Sequence, residues 1–457
     1  MPKISSEIFK EYDIRGLYPA QINESVAYKL GRAFVLSLKA KKIIVGQDRR
    51  PASAKVLNSF IRGAVDESGE ISGLGVCSTP ELFFAVGKYN FAGGVMATAS
   101  HNPSGYVGFK MVDKYGIALG GKTGLKKIKA LADKLPERKI SKKKAGFKYL
   151  NVGADYGRAV LSLINKDTIK KSKLVLDASG GSADKLADYV FSRLPNKLIK
   201  LNFQSKSQKA PHELNPLLIS SQKSAKNAII KNQADLGLIW DGDGDRCIFL
   251  DEKGKYIFPY YINCLMSQII LKKKSGIGIV VDARLPVGIG EVIKEAGGKP
   301  IISRSGTSNV ICLMQEKKLL FGCENSGHFF FNFLFFRGLK KNFVYAEAII
   351  PILLILEHLT ENNLKLSQVI AQFSDKYFIS GEINLAVDNF KAIENKLKNF
   401  YRGNKFKTID GLSVFGPDWF FNIRPSHTEP LARLNIEARN KGVLGKMKKE
   451  ILNIITK

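Results

Sequence analysis

Cysteine is scarce and scattered: Cys77, Cys247, Cys264, Cys312 and Cys323 are the only five in 457 residues, and no two form a C-x-x-C pair. An odd count without paired spacing argues against a disulfide frame or a zinc site, and reads as reduced thiols in a cytosolic protein. Long apolar runs are missing too. The most apolar stretch, residues 344–359, carries Glu347, Pro351 and Glu357, too short and too charged to span a bilayer, and reads as a buried helix. No signal sequence is visible, because Met1-Pro2-Lys3-Ile4-Ser5-Ser6 runs straight into folded-looking sequence, so a cytoplasmic location is expected. Acidic residues are in deficit, 41 against 71 basic, which leaves a net charge of +30. Such an excess is one route to nucleic-acid binding. Yet the lysines are spread over the whole chain, with only short clusters such as 142–144 and 272–274. No helix-turn-helix, zinc-finger or aromatic ribonucleoprotein signature accompanies them. Lysine-rich proteome bias accounts for the charge better, with attraction for phosphorylated, anionic substrates as a modest addition.

What is present is ordinary globular material, 45 % apolar and 25 % charged, long enough for two to four domains. The chain centres on Asp241-Gly242-Asp243-Gly244-Asp245-Arg246, set between the apolar runs 234–240 and 247–250. That pattern predicts strand, tight loop, strand. Three carboxylates at alternate positions on a glycine-pinned turn converge on one point, and their repulsion is relieved by a hard divalent cation such as Mg²⁺. An EF-hand loop would also place Asp241, Asp243, Asp245 and Glu252 at ligand positions, but Arg246 stands where its sharp turn needs glycine. A solvated acidic turn is the plainer alternative.

The N-terminal part alternates helix and strand: a helix from about Glu24 to Lys39, a strand at 42–45, the loop from Gly46 to Ser53, then helical spacing to Ser68. Such alternation argues for an α/β layered domain. A further strand, 93–98, delivers Ala99-Ser100-His101-Asn102-Pro103, a place to present a nucleophile or a simple Ser turn. Gly108-Phe109-Lys110 follows and brings an ammonium near. No Gly-x-Ser-x-Gly elbow supports a hydrolase. The basic stretch 139–148 reads as a linker, with a second α/β unit from near Tyr149 and a third from near Tyr256. In the third, Gly322-Cys323-Glu324-Asn325-Ser326-Gly327-His328 is a polar loop suited to a polyhydroxylated ligand. The last unit, from about Leu366, lacks a parallel-sheet pattern and carries Arg424-Pro425-Ser426-His427-Thr428-Glu429-Pro430 and Arg433, residues suited to a phosphate cradle.

Seven of these stretches, in this order, resemble the α-D-phosphohexomutase family over nearly the whole chain. They are Tyr12-Asp13-Ile14-Arg15-Gly16, Gly46-x-Asp48-x-Arg50, Gly75-x-x-x-Thr79-Pro80 and Thr98-Ala99-Ser100-His101-Asn102-Pro103, then the carboxylate loop, the Glu324 loop and the Arg424 loop. The bacterial phosphomannomutase and phosphoglucomutase branch is the most similar. The resemblance implies four domains around a central cleft: three related α/β mixed-sheet domains at 1–147, 148–252 and 253–365, and a C-terminal α+β domain at 366–457. It implies a phosphoserine at Ser100, opposite one Mg²⁺ held by Asp241, Asp243 and Asp245 with Ser100. Phosphate then shifts reversibly between O6 and O1 of a hexose through a hexose 1,6-bisphosphate, which also serves as activator.

By the same resemblance Arg246 neutralises charge, Arg15 and Lys110 lie near the serine, Lys110 shuttles a proton and His101 assists. Glu324, Ser326 and His328 bind sugar hydroxyls, and Arg424, Ser426, Thr428 and Arg433 grip the phosphate not in transfer. The partner is a phosphorylated hexose, with no nucleic acid or membrane, and the chain acts as a monomer or homodimer. Mannose phosphates are the expected substrates, with glucose phosphates or both as the alternative. Glucosamine phosphate and a non-catalytic sugar-phosphate-binding paralogue rank lower. Three departures stand out. Ser305-Gly306-Thr307 replaces Thr-Gly-His, His427 fills the variable position of the phosphate loop, and Lys340-Lys341-Asn342 stands where relatives carry acidic residues before a helix.

Overall fold

The computed structural model describes residues 4–136, 147–203, 211–336, 341–426 and 431–456. The chain forms two compact units, Met1–Tyr256 with Gly327–Lys365, and Ile257–Ser326 with Leu366–Lys457.

The first unit opens with a six-stranded sheet built from β1 (Ile14–Leu17), β2 (Lys42–Gln47), β3 (Glu70–Val76), β4 (Gly93–Ala97), β5 (Tyr106–Asp113) and β6 (Phe147–Tyr149), in the order β1-β5-β4-β2-β3-β6. Helix α1 (Glu24–Leu38) starts where Asn23 accepts the backbone N–H of Val26 and stops where Lys39 turns left-handed at φ 50°. It packs on α2 (Pro51–Asp66) through two glycines. A Cβ on Gly31 would lie 2.0 Å from the Phe60 carbonyl oxygen, and one on Gly63 2.1 Å from that of Tyr28, so larger residues would force the helices apart. Helix α3 (Thr79–Tyr89) carries a capping box, Ser78 with Glu81, and Pro80 in its first turn. Of the expected linker, residues 139–146 fall outside the described residues, and 147–149 run as a strand parallel to β3.

A second sheet orders β7 (Lys173–Asp177), β8 (Lys197–Leu201), β9 (Leu236–Trp240) and β10 (Cys247–Leu250) as β10-β9-β7-β8. Strands β9 and β10 pair antiparallel with Trp240 opposite Cys247, which is the predicted strand–loop–strand around the carboxylates. The same unit includes an antiparallel pair, Phe329–Asn332 with Val344–Ala346, and the helix Ile349–Asn362. Residues 344–359 are therefore not one buried helix. Val344–Ala346 is a ladder strand, and Glu347 accepts the backbone N–H groups of Ile349 and Ile350 to start the helix. Of the departure at 340–342, Lys340 lies outside the described residues.

In the second unit, Gly278–Asp282 pairs parallel with Lys299–Ser303 and with Phe321–Cys323. The C-terminal part is a five-stranded antiparallel sheet of Phe378–Ala386, Leu431–Ala438, Trp419–Pro425, Leu412–Phe415 and Lys405–Lys407, in that order. The helices Phe390–Phe400 and Lys441–Thr456 contribute to its apolar core. No helix among the described residues is long and apolar enough to cross a membrane.

Candidate active site

In the first unit the ends of β4 and β9 deliver the serine and carboxylate loops. Asp241, Asp243 and Asp245 are all buried, and a ligand oxygen from each lies within 4.8 Å of the others. Two carboxylate charges about 4 Å apart repel by roughly 4 kcal/mol at an effective dielectric constant near 20, so nearby cations must offset them. Lys110 does so by pairing with Asp245 and, at 2.7 Å, with Asp243, and Arg246 pairs with Asp241 at 3.0 Å. The trio fits a divalent cation: Asp243 Oδ1 is buried and takes no hydrogen bond among the described residues. Gly242 lets the loop approach the serine, because a Cβ there would sit 2.6 Å from the Ser100 carbonyl oxygen.

Ser100 Oγ donates to Asp241 Oδ2 at 2.8 Å, lies 3.3 Å from His101 Nδ1, and accepts from Arg246 Nη2 at 3.4 Å. Its backbone is left-handed, φ 50°, an uncommon state for a residue with a Cβ. Arg15 donates to Asp13, to the carbonyl of Ala99 and to Asn102 Oδ1. His328 Nε2 is 3.5 Å from Asp245 Oδ1, and its ring stacks on Phe330. Eight predicted residues, Arg15, Ser100, His101, Lys110, Asp241, Asp243, Asp245 and Arg246, thus form one cluster, and His328 joins it.

The charges set one another. Burial pushes the Asp241 carboxyl up to about 6, against Arg246 and with Asp243 and Asp245 adding to the rise. Burial opposes ionisation of Asp245 as well, but Lys110, then His328 and Arg246, hold it well below the usual carboxylate range. Desolvation disfavours the Lys110 ammonium, yet Asp243 and Asp245 keep its pKa above the ordinary lysine value. The Arg246 guanidinium, followed by burial, drives His101 well below the histidine range and leaves a neutral imidazole.

In the second unit Glu324 is buried, accepts the Gly306 backbone N–H, and receives the Ser326 hydroxyl at 3.3 Å. Thr307 opens the helix Thr307–Glu316 behind Gly306, while Ser305 donates its hydroxyl to Asp410 at 2.6 Å. Arg424 and Arg433 stand opposite each other on paired strands, and both approach Glu382, at 3.5 and 3.3 Å. Arg284 joins them at 3.7 Å, bound also to Asp282. Ser426, directly after the strand that ends at Pro425, donates its backbone N–H to the Leu431 carbonyl at 2.8 Å. Thr428 and His427 lie outside the described residues.

Several residues near these groups had no predicted role. Thr79 donates its hydroxyl to Asp243 Oδ2 at 2.7 Å and its backbone N–H to the Asp243 carbonyl, and Ser182 reaches the Gly242 carbonyl. Arg284, Glu382 and Asp410 lay outside every motif. One signal would have found Arg284: an arginine two residues after an aspartate, as in Asp13-x-Arg15 and Asp48-x-Arg50, pairs back to that aspartate each time.

Family models cover almost the whole chain. The phosphoglucomutase/phosphomannomutase alpha/beta/alpha domains I, II and III match residues 6–139, 154–254 and 258–377, and the C-terminal domain matches 382–454. A phosphomannomutase of Methanocaldococcus jannaschii is 35 % identical over 456 residues, 98 % of each chain. Phosphohexose mutases of Xanthomonas campestris are 33 % identical over 454 residues, again 98 % of each. Among solved structures, a phosphoglucomutase/phosphomannomutase family protein of Burkholderia thailandensis superposes with a TM-score of 0.85 at 26 % identity, covering 99 % of this chain and 97 % of that one. The chain belongs to the α-D-phosphohexomutase family, three α/β domains and a C-terminal domain, and is an enzyme of the phosphate-shifting isomerase type.

Proposed function

We propose that this enzyme is a cytoplasmic phosphomannomutase, interconverting mannose 6-phosphate and mannose 1-phosphate through a phosphoserine at Ser100 and a hexose 1,6-bisphosphate. The observation that carries the reading is Ser100 Oγ, 2.8 Å from Asp241, within a buried group of three aspartates and Arg246. Relatives bearing the phosphomannomutase name, such as the one at 35 % identity, favour mannose. The relative named for phosphohexoses in general favours the second reading, an enzyme that takes mannose and glucose phosphates alike.

Asp241, Asp243 and Asp245, with Ser100, would hold one Mg²⁺, which supplies charge neutralisation for a phosphoryl group in transfer. Arg246 reaches the serine oxygen and offsets charge on the same phosphoryl oxygens. His101, neutral and 3.3 Å away, accepts the serine proton. Lys110, kept as an ammonium by Asp243 and Asp245, donates and recovers the proton of the sugar oxygen, with Arg15 fixing the loop beside it. Glu324, Ser326 and His328 bind the sugar hydroxyls, and Arg424, Ser426, Thr428 and Arg433 hold the phosphate at rest. The working division of the chain is 1–147, 148–252, 253–365 and 366–457. A coupled assay with Mg²⁺ and a trace of hexose 1,6-bisphosphate tests the reading by comparing kcat/KM for mannose 1-phosphate and glucose 1-phosphate. A preference for mannose that is lost in Ser100→Ala is expected. Equal values would make the enzyme dual, and no turnover of either, or of glucosamine 1-phosphate, would leave a non-catalytic binder.

A further inference from the structure

The motif Gly46-x-Asp48-x-Arg50 binds neither metal nor sugar in the account above, yet it is buried against the serine loop. Arg50 is 8 % exposed and spends its whole guanidinium there. Nη2 donates to the carbonyls of Ser100, at 2.8 Å, and Asn102, while Nη1 donates to those of Pro103, at 2.7 Å, and Tyr106, at 3.1 Å. Nε turns back to Asp48, at 3.1 Å. Asp48, 1 % exposed, also accepts the Thr98 hydroxyl at 2.8 Å, and Thr98 Oγ1 in turn accepts the Ser100 backbone N–H at 2.8 Å. Both backbone polar groups of Ser100 are therefore fixed by this one network, at a residue held at φ 50°. Left-handed φ at a non-glycine residue persists only where its surroundings over-determine it. Four backbone carbonyls converging on one planar fork is a geometry that a lysine ammonium cannot reproduce.

We infer that Arg50, with Asp48 and Thr98, is the positioning group that holds Ser100 in its left-handed conformation, and so sets the in-line approach of Oγ to the phosphoryl group. The step it governs is transfer from a sugar bisphosphate. The P–O bond to the sugar breaks as a P–O bond to Ser100 Oγ forms, the serine proton passing to His101 while Lys110 protonates the released sugar oxygen. Sugar and phosphate recognition lie elsewhere, so Arg50 acts on the rate of transfer and not on KM. This inference rests on the phosphoserine reading of Ser100.

The test is single-turnover phosphorylation of Ser100 by glucose 1,6-bisphosphate with Mg²⁺, followed by intact-mass spectrometry. The rate constant is expressed per phosphorylatable site, so that a loss of folded protein does not register. Arg50→Lys is expected to lower that constant by about a hundredfold, the scale of a misplacement near 1 Å, with KM for the sugar phosphate changed less than about threefold. Thr98→Val, which removes the acceptor for the Ser100 N–H together with the hydroxyl donated to Asp48, is expected to lower it about tenfold, and keeps the inference testable if Arg50→Lys fails to fold. An unchanged rate constant in a folded variant, or a rise in KM with the rate constant intact, would overturn it. Absence of phosphate on wild-type Ser100, with Ser100→Ala as the blank, would instead remove the reading beneath it.

Discussion

The serine loop of the first unit and the arginine group of the second are both made of ions and hydrogen bonds, but they are built to opposite tolerances. Around Ser100 the loop is tied at 2.7–2.8 Å by a network of buried partners, Arg50, Asp48 and Thr98. Around Glu382 three guanidiniums share one partly exposed carboxylate at 3.3–3.7 Å, and the Arg424 Nε–H is buried with no hydrogen bond among the described residues. Phosphoryl transfer depends on where one oxygen points, so its scaffold is saturated. On the proposed reading the second unit grips a phosphate, a task that needs charge still available to it.

The contrast can be broken at its chemical end first. Ser100→Ala should lower kcat by about a thousandfold or more with the melting temperature nearly unchanged, because it deletes the acceptor of the phosphoryl group. A comparable loss of kcat with an intact KM is not expected from the recognition end. There, Arg424→Met should raise KM by about thirtyfold, the worth of roughly 2 kcal/mol for a lost charge-assisted hydrogen bond, measured by steady-state kinetics. If instead kcat alone fell, the division of labour would be wrong. A smaller effect sharpens the positioning side. Thr79→Val takes away a hydroxyl from Asp243, and isothermal titration should find Mg²⁺ affinity about tenfold weaker, in the range seen for outer-shell partners.

Much of this was legible in the sequence. The carboxylate loop between two apolar runs is the antiparallel pair β9–β10, and the serine loop leaves β4 where the pattern put it. Two kinds of information were hidden. Residues 344–359 are apolar on every side, so periodicity could not separate a buried strand from a buried helix, and the boundary is set by the Glu347 carboxylate. Some side-chain partners are distant in sequence: Asp410 lies 105 residues from Ser305, and Glu382 51 from Arg433. No local spacing announces such pairs. The contacts of Arg50 and Thr79 were hidden differently, inside motifs whose residues were visible but whose targets, backbone carbonyls and an aspartate, were not.

The least effect expected is on stability, and it treats the two units alike. Glu347 in the first is raised to about 8 and Glu437 in the second to about 7, in both cases chiefly by burial. A carboxyl whose folded pKa lies above its unfolded value holds its proton longer in the native state. Its stabilising contribution is complete below about pH 4.5 and is lost as pH rises through the folded pKa. Melting temperatures should therefore decline between about pH 5 and 8, and Glu347→Gln should flatten part of that slope while keeping the acceptor for the Ile349 and Ile350 N–H groups. A slope unchanged by the substitution would mean that Glu347 is ionised in the folded protein.

The central claim is that Ser100 carries the phosphate between the two ends of a hexose, and peptide mapping tests it most directly. Wild-type protein incubated with Mg²⁺ and hexose 1,6-bisphosphate, digested and sequenced by mass spectrometry, should carry one phosphate on Ser100. That phosphate should be lost when excess hexose 6-phosphate is added and should then be recovered in the sugar bisphosphate. Phosphate on another residue, or on none, would contradict the account.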